Sequence, residues 1–346
     1  MNKNFLTLVF VFLSSIIVAQ NDLHQILKNK SISSKHQFYK DISDVDGNHV
    51  KIPVFVLKGK NKGPVFTIIS GVHGYEYPPI IAAQTLIQEL KPELVSGTIV
   101  IIPMTNPSAF YGRSPFVNPI DGLNLNRSFP GDKQGSETKR IANYITNVVI
   151  PESDVFVDIH GGDANEDLLP FVCYYNNEEK LKQTEKAKQL SESSGFSHIV
   201  SYPYTLKEDK PAKYAFKQAV QDGKIALSIE CGKLGTVQKD AVYMIKRGIY
   251  NMLAEMKMYP KTEGTKNDFI NLNKQVYIKS EIKGVFYSSL KSGDKVKKGD
   301  VVGSIKNEFG NIISKITAKD SGIILYKIGT PPVNKGETIM CIASQQ

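Results

Sequence analysis

Between Val50 and about Met258, short apolar runs alternate with stretches of helical periodicity, and few architectures accept that rhythm. The apolar runs cover residues 51–57, 64–70, 97–103, 154–160, 168–174 and 224–230. The helix-like stretches cover 78–90, 137–149, 177–194, 212–221 and 237–258. Strands this apolar must be covered on both faces, so the expectation is an α/β fold with a sheet flanked by helices. Pro78 and Pro79 suit a first helical turn, where a missing N–H costs nothing. Ile80, Ala83, Ile87 and Leu90 then recur at the spacing of one buried face.

After Pro260 the pattern changes. Lys261 to Asp268 is a polar linker, and residues 270–346 read as a small all-β, barrel-like module of short strands separated by glycine turns. The stretch Ser292-Gly-Asp-Lys-Val-Lys-Lys-Gly-Asp300 resembles biotinyl and lipoyl carrier barrels. In those barrels the carrier lysine sits on a hairpin that aligns with residues 307–310, where this chain has Phe309. No covalent biotin or lipoate is expected. The string Met256-Lys257-Met258 ends a helical pattern and reads as ordinary helix.

Residues 1–20 carry Lys3, an apolar run from Phe5 to Val18 and the small Ala19 before polar Gln20-Asn21-Asp22, the pattern of a secretory signal peptide. The expectation is an exported protein, periplasmic or secreted, with residues 21–260 as the main domain and no stable membrane span after signal removal. The run is shorter than the ~20 residues a bilayer span prefers. The formal net charge is +9, and loss of Lys3 leaves +8. That excess is mild and scattered over lysines without interleaved aromatics, which argues against nucleic-acid binding. Three cysteines, at 173, 231 and 341, fit neither a disulfide framework nor a zinc ribbon.

The chemistry is concentrated at the ends of apolar runs, where α/β folds put their sites. Ser70-Gly71-Val72-His73-Gly74-Tyr75-Glu76 brings an imidazole and a carboxylate to one turn, as a divalent metal requires; an isolated HxxE also occurs in plain surface turns. The run 154–160 ends in His160-Gly161-Gly162 and supplies a third ligand. Two histidines and a glutamate make a catalytic zinc set with an open position for water. Asp158 shares a side of the strand with His160, either orienting it or serving as a buried structural carboxylate. The run 224–230 ends in Glu230, which reads as a general base beside the metal or as a strand-end surface residue. Cys231 alternates away from Glu230 and reads as packing. The long loop 106–131 holds two of only four arginines, Arg113 and Arg127, and Arg grips a carboxylate in a bidentate fork. His24, His36, His49 and His198 have no supporting constellation.

Taken together, Gly71-Val-His73-Gly-Tyr-Glu76, Asn106-Pro107, Asn124-Leu-Asn126-Arg127-Ser-Phe-Pro-Gly131, Asp158-Ile-His160 and Ile229-Glu230 resemble, in order, the succinylglutamate desuccinylase/aspartoacylase family, relatives of the zinc carboxypeptidases. The resemblance runs from about residue 50 to the end. It implies a zinc-carboxypeptidase-like mixed sheet, with one Zn2+ per chain held by His73, Glu76 and His160. It also implies Glu230 as general base, Asn126 and Arg127 as binders of a substrate carboxylate, and Arg113 polarising the scissile carbonyl. The resulting expectation is an exported zinc-dependent amide hydrolase, a deacylase of N-acyl amino acids or related small carboxylates. Alternatives are a carboxypeptidase on peptides or cell-wall stems, or a catalytically silent ligand-binding protein. The best-known family members are cytoplasmic, so a signal peptide is a departure. A homo-oligomer is left open.

Overall fold

The computed structural model describes residues 23–29, 33–43, 47, 49–207, 209–260 and 268–345. The segment read as a signal and most of the polar linker lie outside them. Among these residues no helix is long and apolar enough to cross a membrane.

The large sheet is built from β1 (Ser34–Ser43), β2 (His49–Lys58), β3 (Asn61–Ser70), β4 (Ser96–Ile102), β5 (Val155–His160), β7 (Phe171–Asn176), β8 (His198–Pro203), β9 (Ile225–Glu230) and β10 (Ile270–Leu272). Between β5 and β7 lies the short β6 (Glu166–Leu168), which belongs to another sheet. The order is β1-β2-β4-β3-β5-β9-β7-β8-β10. At its centre β3, β5 and β9 run parallel, and every residue of β5 is buried. That accounts for the unbroken apolar runs.

Helices cover both faces. On one lie α2 (Tyr77–Glu89), α5 (Leu181–Ser193) and α7 (Lys239–Glu255), whose Leu86, Leu190 and Ile249 pack with Val155, Val157 and Ile159. On the other lie α1 (Leu23–Lys28), α4 (Glu137–Tyr144) and α6 (Ala215–Gln221), whose Leu23, Ile141 and Ala219 share a core with Phe156. The mixed sheet flanked by helices is the expected fold class. Strand alternation sends Phe156, Asp158 and His160 to the α4/α6 side.

Each apolar run and helical stretch corresponds to an element, with three instructive differences. The run 168–174 is split, because Pro170 has no N–H to give a ladder; β6 ends at Leu168 and β7 begins at Phe171. The stretch 137–149 widens into a π turn over Ile145–Val149, where Ile150 N–H donates to Ile145 O. The loop 106–131 contains a short helix, α3 (Pro107–Tyr111), capped by the Asn106 side chain at Ala109 N–H.

The remaining strands, β11 (Lys274–Lys279), β12 (Gly284–Tyr287), β13 (Lys295–Val296), β14 (Val301–Lys306), β15 (Ile312–Thr317), β16 (Gly322–Ile328), β17 (Pro332–Val333) and β18 (Thr338–Ser344), form two small sheets about a core of Ile278, Phe286, Ile305, Ile324 and Ile342. Phe309 stands exposed at the β14–β15 hairpin. The boundary between large and small sheets is interlaced. Ile270–Leu272 were read as the start of the β module but form the large sheet's edge beside β8, while β6 pairs with β16 in the small sheet.

Asp167 pins this junction, accepting from Ser292 N–H (3.0 Å), Ser292 Oγ (2.9 Å) and Lys233 Nζ (3.2 Å). Burial alone would raise its carboxyl, but those donors win and hold it below its ordinary value. Its stabilisation is therefore complete above the ordinary carboxylate range and is lost as pH falls through the lowered folded value. Asp167→Ala should cost about 2 kcal/mol in denaturant unfolding at neutral pH, with the difference from wild type shrinking in acid. Equal stability of the two proteins at pH 7 would show that the junction does not depend on this carboxylate.

Candidate metal centre and its cavity

Adjacent parallel strands deliver the centre. β3 stops at Ser70, and the chain turns through Gly71, at φ 66°, before His73 and Glu76 lead into α2. A Cβ on Gly74 would stand 2.4 Å from the carbonyl oxygens of Ala109 and Ser114, so glycine is what lets this turn lie against the α3 loop. His160 ends β5 and is the register partner of Glu230 at the end of β9.

His73 Nδ1 lies 2.6 Å from Glu76 Oε1, and His160 Nδ1 lies 3.0 Å from Glu76 Oε2. One ligand-type atom from each residue falls within 4.8 Å of the others, so the three could hold a metal ion. The remaining ring nitrogens support that fit. His73 Nε2 is 3.2 Å from Asn124 Oδ1, and His160 Nε2 is 3.0 Å from Asp158 Oδ2 without hydrogen-bond alignment. Both Nδ1 atoms thus face the Glu76 carboxylate, with the part-buried Asn124 amide oxygen behind one ring and the buried Asp158 carboxylate near the other, the kind of group that orients metal-binding imidazoles.

The charges are strongly coupled. Burial pushes Glu76 up, but His160 and His73 outweigh it and bring its carboxyl down to about 2. Burial opposes protonation of His160, yet Asp158 and Glu76 raise it well above its usual value, and Glu76 raises His73. Protons therefore compete with a divalent ion for the same nitrogens. Glu230 is pushed up to about 8 by burial, partly opposed by His160 and reinforced by Glu76, Glu166 and Asp158. Cys231 is buried in the core on the α2/α7 side, as its alternation suggested.

A cavity of about 310 Å³ opens at this point and is lined by the three ligand candidates, Glu230, Asn126 and Arg127. Arg127 lies 4.7 Å over the Tyr214 ring and donates from Nη1 to Asn126 O at 2.6 Å. The Asn124 amide oxygen, which faces His73, also accepts from Asn126 N–H at 2.8 Å, so the loop carrying Arg127 is tied to the ligand cluster. Arg113 is not brought to this cavity. It is exposed just past α3, and its charge is felt at Tyr77.

Residues that sequence reasoning passed over also line the cavity: Asp163, Glu166, Tyr175, Tyr202, Phe216 and Tyr277. Asp163 was legible, since it follows His160-Gly161-Gly162 directly. The tyrosines were not, because they come from β7, β8 and β11, which nothing local brings together.

Two imidazoles and a carboxylate gathered at the carboxyl ends of parallel strands, with a second carboxyl group, Glu230, beside them, make a site of the hydrolase kind that could hold a metal ion. The comparisons are specific. Residues 62–256 match the Succinylglutamate desuccinylase/Aspartoacylase catalytic domain, and the chain belongs to that family of amide hydrolases. The N-alpha-acetyl-L-2,4-diaminobutyric acid deacetylase of Halomonas elongata is 32% identical over 305 residues, covering 85% of this chain and 86% of the relative. The product-bound ectoine utilization protein EutE (DoeB) of Ruegeria pomeroyi superimposes with a TM-score of 0.81 at 25% identity, over 91% of this chain and 97% of that one. A succinylglutamate desuccinylase/aspartoacylase of Rhodobacter sphaeroides shares the fold with a TM-score of 0.80 at 23% identity, over 92% and 97%.

Metal titration by calorimetry should show tight divalent binding to the wild type that releases protons and weakens as pH falls through the raised histidine values. His160→Ala should abolish stoichiometric binding, and Gly74→Ala should weaken it by displacing the His73 turn. Full metal occupancy in His160→Ala would exclude this cluster as the centre.

Proposed function

We propose that the protein is an exported, zinc-dependent amidohydrolase that removes the acyl group from an N-acyl amino acid. The observation that carries this reading is the convergence of His73, Glu76, His160, Glu230 and Arg127 on one cavity. Family membership supports it, as does the activity named for the Halomonas relative, removal of acetyl from an N-acetyl amino acid. His73, Glu76 and His160 are assigned to zinc, because a donor set of two borderline imidazoles and one hard carboxylate is a catalytic zinc pattern. Bound there, zinc supplies Lewis acidity toward the scissile carbonyl and acidifies water near neutral pH.

The protein's own groups do the rest. The Glu230 carboxylate takes a proton from the attacking water and returns it to the leaving nitrogen. Arg127, held over Tyr214, grips the α-carboxylate of the substrate, and the Asn126 amide adds a hydrogen bond to the same group. The walls of Phe116 and Phe216 keep bulk water from the reacting bond. Arg113 receives no role here, since it does not line the cavity.

Glu230→Gln should retain zinc while losing about 10²-fold or more of turnover on a cleaved N-acyl amino acid. Wild-type rates in that variant would assign the proton to another group. Acids should be cleaved at least about tenfold better than their amides, and Arg127→Lys should lose that preference because a point charge cannot replace the planar fork; an indifferent wild type would remove Arg127 from the carboxylate. Export rests on residues 1–20, and amino-terminal sequencing of protein recovered from outside the cytoplasm should begin near Gln20. Recovery only as the uncleaved cytoplasmic chain would overturn it.

A further inference from the structure

The far edge of the large sheet is claimed neither by the cavity nor by the carboxyl-terminal strands. β1 stands at the end of the strand order, and among the described residues no strand pairs with its outer side. Proteins blunt such an edge with a short strand, a proline or a bulge. β1 has none of these: its ten residues contain no proline and pair with β2 from Ser34 to Ser43 without a shift of register. Its protection is charge alone, Lys35, Lys40 and Asp41, and that charge is of both signs.

The backbone groups left open can be named. Gly59 N–H donates to Gly97 O on the β4 side, so the odd-numbered residues of β2 face β4 and the even-numbered ones face β1. Pro53, which has no N–H to give, falls opposite Tyr39 in a pair that needs none. Ser34, His36, Phe38, Lys40 and Ile42 therefore bond to β2, while Lys35, Gln37, Tyr39, Asp41 and Ser43 turn their N–H and C=O groups outward. Arg140 takes the Ser43 carbonyl at 2.6 Å, and the run from Lys35 to Asp41 stays open. The odd-numbered side chains stand on the α2 face, since Phe38 and Ile42 pack into the core on the other. There Tyr39 is 69% exposed, and a groove of about 550 Å³ runs between Gln37, Tyr39 and Phe55 of the sheet and Gln84, Ile87 and Gln88 of α2.

We propose that two copies of the chain join along β1, antiparallel about a two-fold axis at Phe38, so that two nine-stranded sheets become one. An axis normal to the sheet keeps each side chain on its own face and sets Lys35 opposite Asp41 of the second copy, and Gln37 opposite its Tyr39. These are the residues whose backbone groups are open. Charge chooses the register. An axis at Gln37 would put Lys35 against Tyr39, one at Tyr39 would put it against Ser43, and one at Lys40 would oppose two lysines. Only the axis at Phe38 joins opposite charges, and it does so twice. Among the described residues Lys35 forms no ion pair, and Asp41 Oδ1 meets the exposed His49 Nδ1 at 2.9 Å. Each Tyr39 comes to the rim of the other copy's groove, which offers its exposed ring apolar and amide surface to cover. An extended segment of another protein could satisfy the backbone but would not by itself match the charges at both ends.

The test uses the full-length protein and reads its association state. Sedimentation equilibrium should show exchange between monomer and dimer in the micromolar range. Lys35→Asp and Asp41→Lys should each raise the dimer dissociation constant about tenfold or more, because the axis spoils each contact twice, and the double variant should return it to within about threefold of wild type. A second arm reads the register without relying on affinity. Gln37→Cys and Tyr39→Cys, at exposed positions, would face each other across the axis with Cα atoms about 5.5 Å apart, within disulfide reach. A mixture of these two variants should therefore cross-link under mild oxidation far more than either alone, and the native cysteines, all buried, do not compete. A wild type that stays monomeric, including one whose edge captures an extended peptide instead, overturns the proposal. So does a dimer indifferent to every charge reversal, or one in which a single cysteine variant cross-links as well as the mixture.

Discussion

The parallel pairing of β3, β5 and β9 is the constraint on which the rest depends. Its register sets His160 opposite Glu230 and Ser70 opposite Ile159, so the turn after Ser70 has to deliver His73 and Glu76 onto the same ends. A slip of one residue in β5 would send Asp158 and His160 into the α2/α7 core and replace them with Val157 and Ile159. The apolar residues that pack on that face therefore position the imidazole as firmly as its own contacts do. Burying Asp158 behind His160 is costly, and the sheet core must offset it.

Electrostatic tension runs through the same small volume. Glu76 is pulled down by two imidazoles while Glu230, Asp163 and Glu166 are pushed up by burial first and by neighbouring carboxylates, Glu76 among them in each case. Asp163 rises to about 8. Burial favours the neutral forms of these carboxyls, so protons relieve part of the repulsion. The tyrosine wall adds to this by withholding water that would otherwise screen the charges.

Much of this was legible in the sequence, and the reason differs by element. The strands 64–70, 154–160 and 224–230 announced themselves because both their faces are buried, and the polar residue ending each one had to have a purpose. β1 was not legible, since alternate exposed residues such as Lys35, Gln37 and Tyr39 give it no core signature. β8, one place in from the sheet's edge, was missed because its apolar residues are few, Ile199 and Val200 before polar Ser201, and the three-residue edge strand β10 was read into the β module. Within the site, motif spacing found the residues close in sequence to the ligands. Asn124 stood inside a recognised string, but its contact with His73 depends on a loop path that periodicity does not encode. Arg113 illustrates the converse: scarcity marked it, yet it is exposed after α3 and is not among the residues lining the cavity.

The exchange of strands between the sheets bears on when the protein becomes itself. Residues 166–168 must wait for residues 326–328 before β6 has a partner, and Tyr277 reaches the cavity only through the sheet that β18 completes. Contacts of such sequence separation are slow to close, and no earlier segment substitutes for them. A nascent chain that has already formed β3, β5 and β9 thus owns the His73, Glu76 and His160 cluster but not the room that surrounds it. Competence arrives last, with the carboxyl-terminal strands, which makes the final stretch of the chain a checkpoint on a site encoded almost entirely before it.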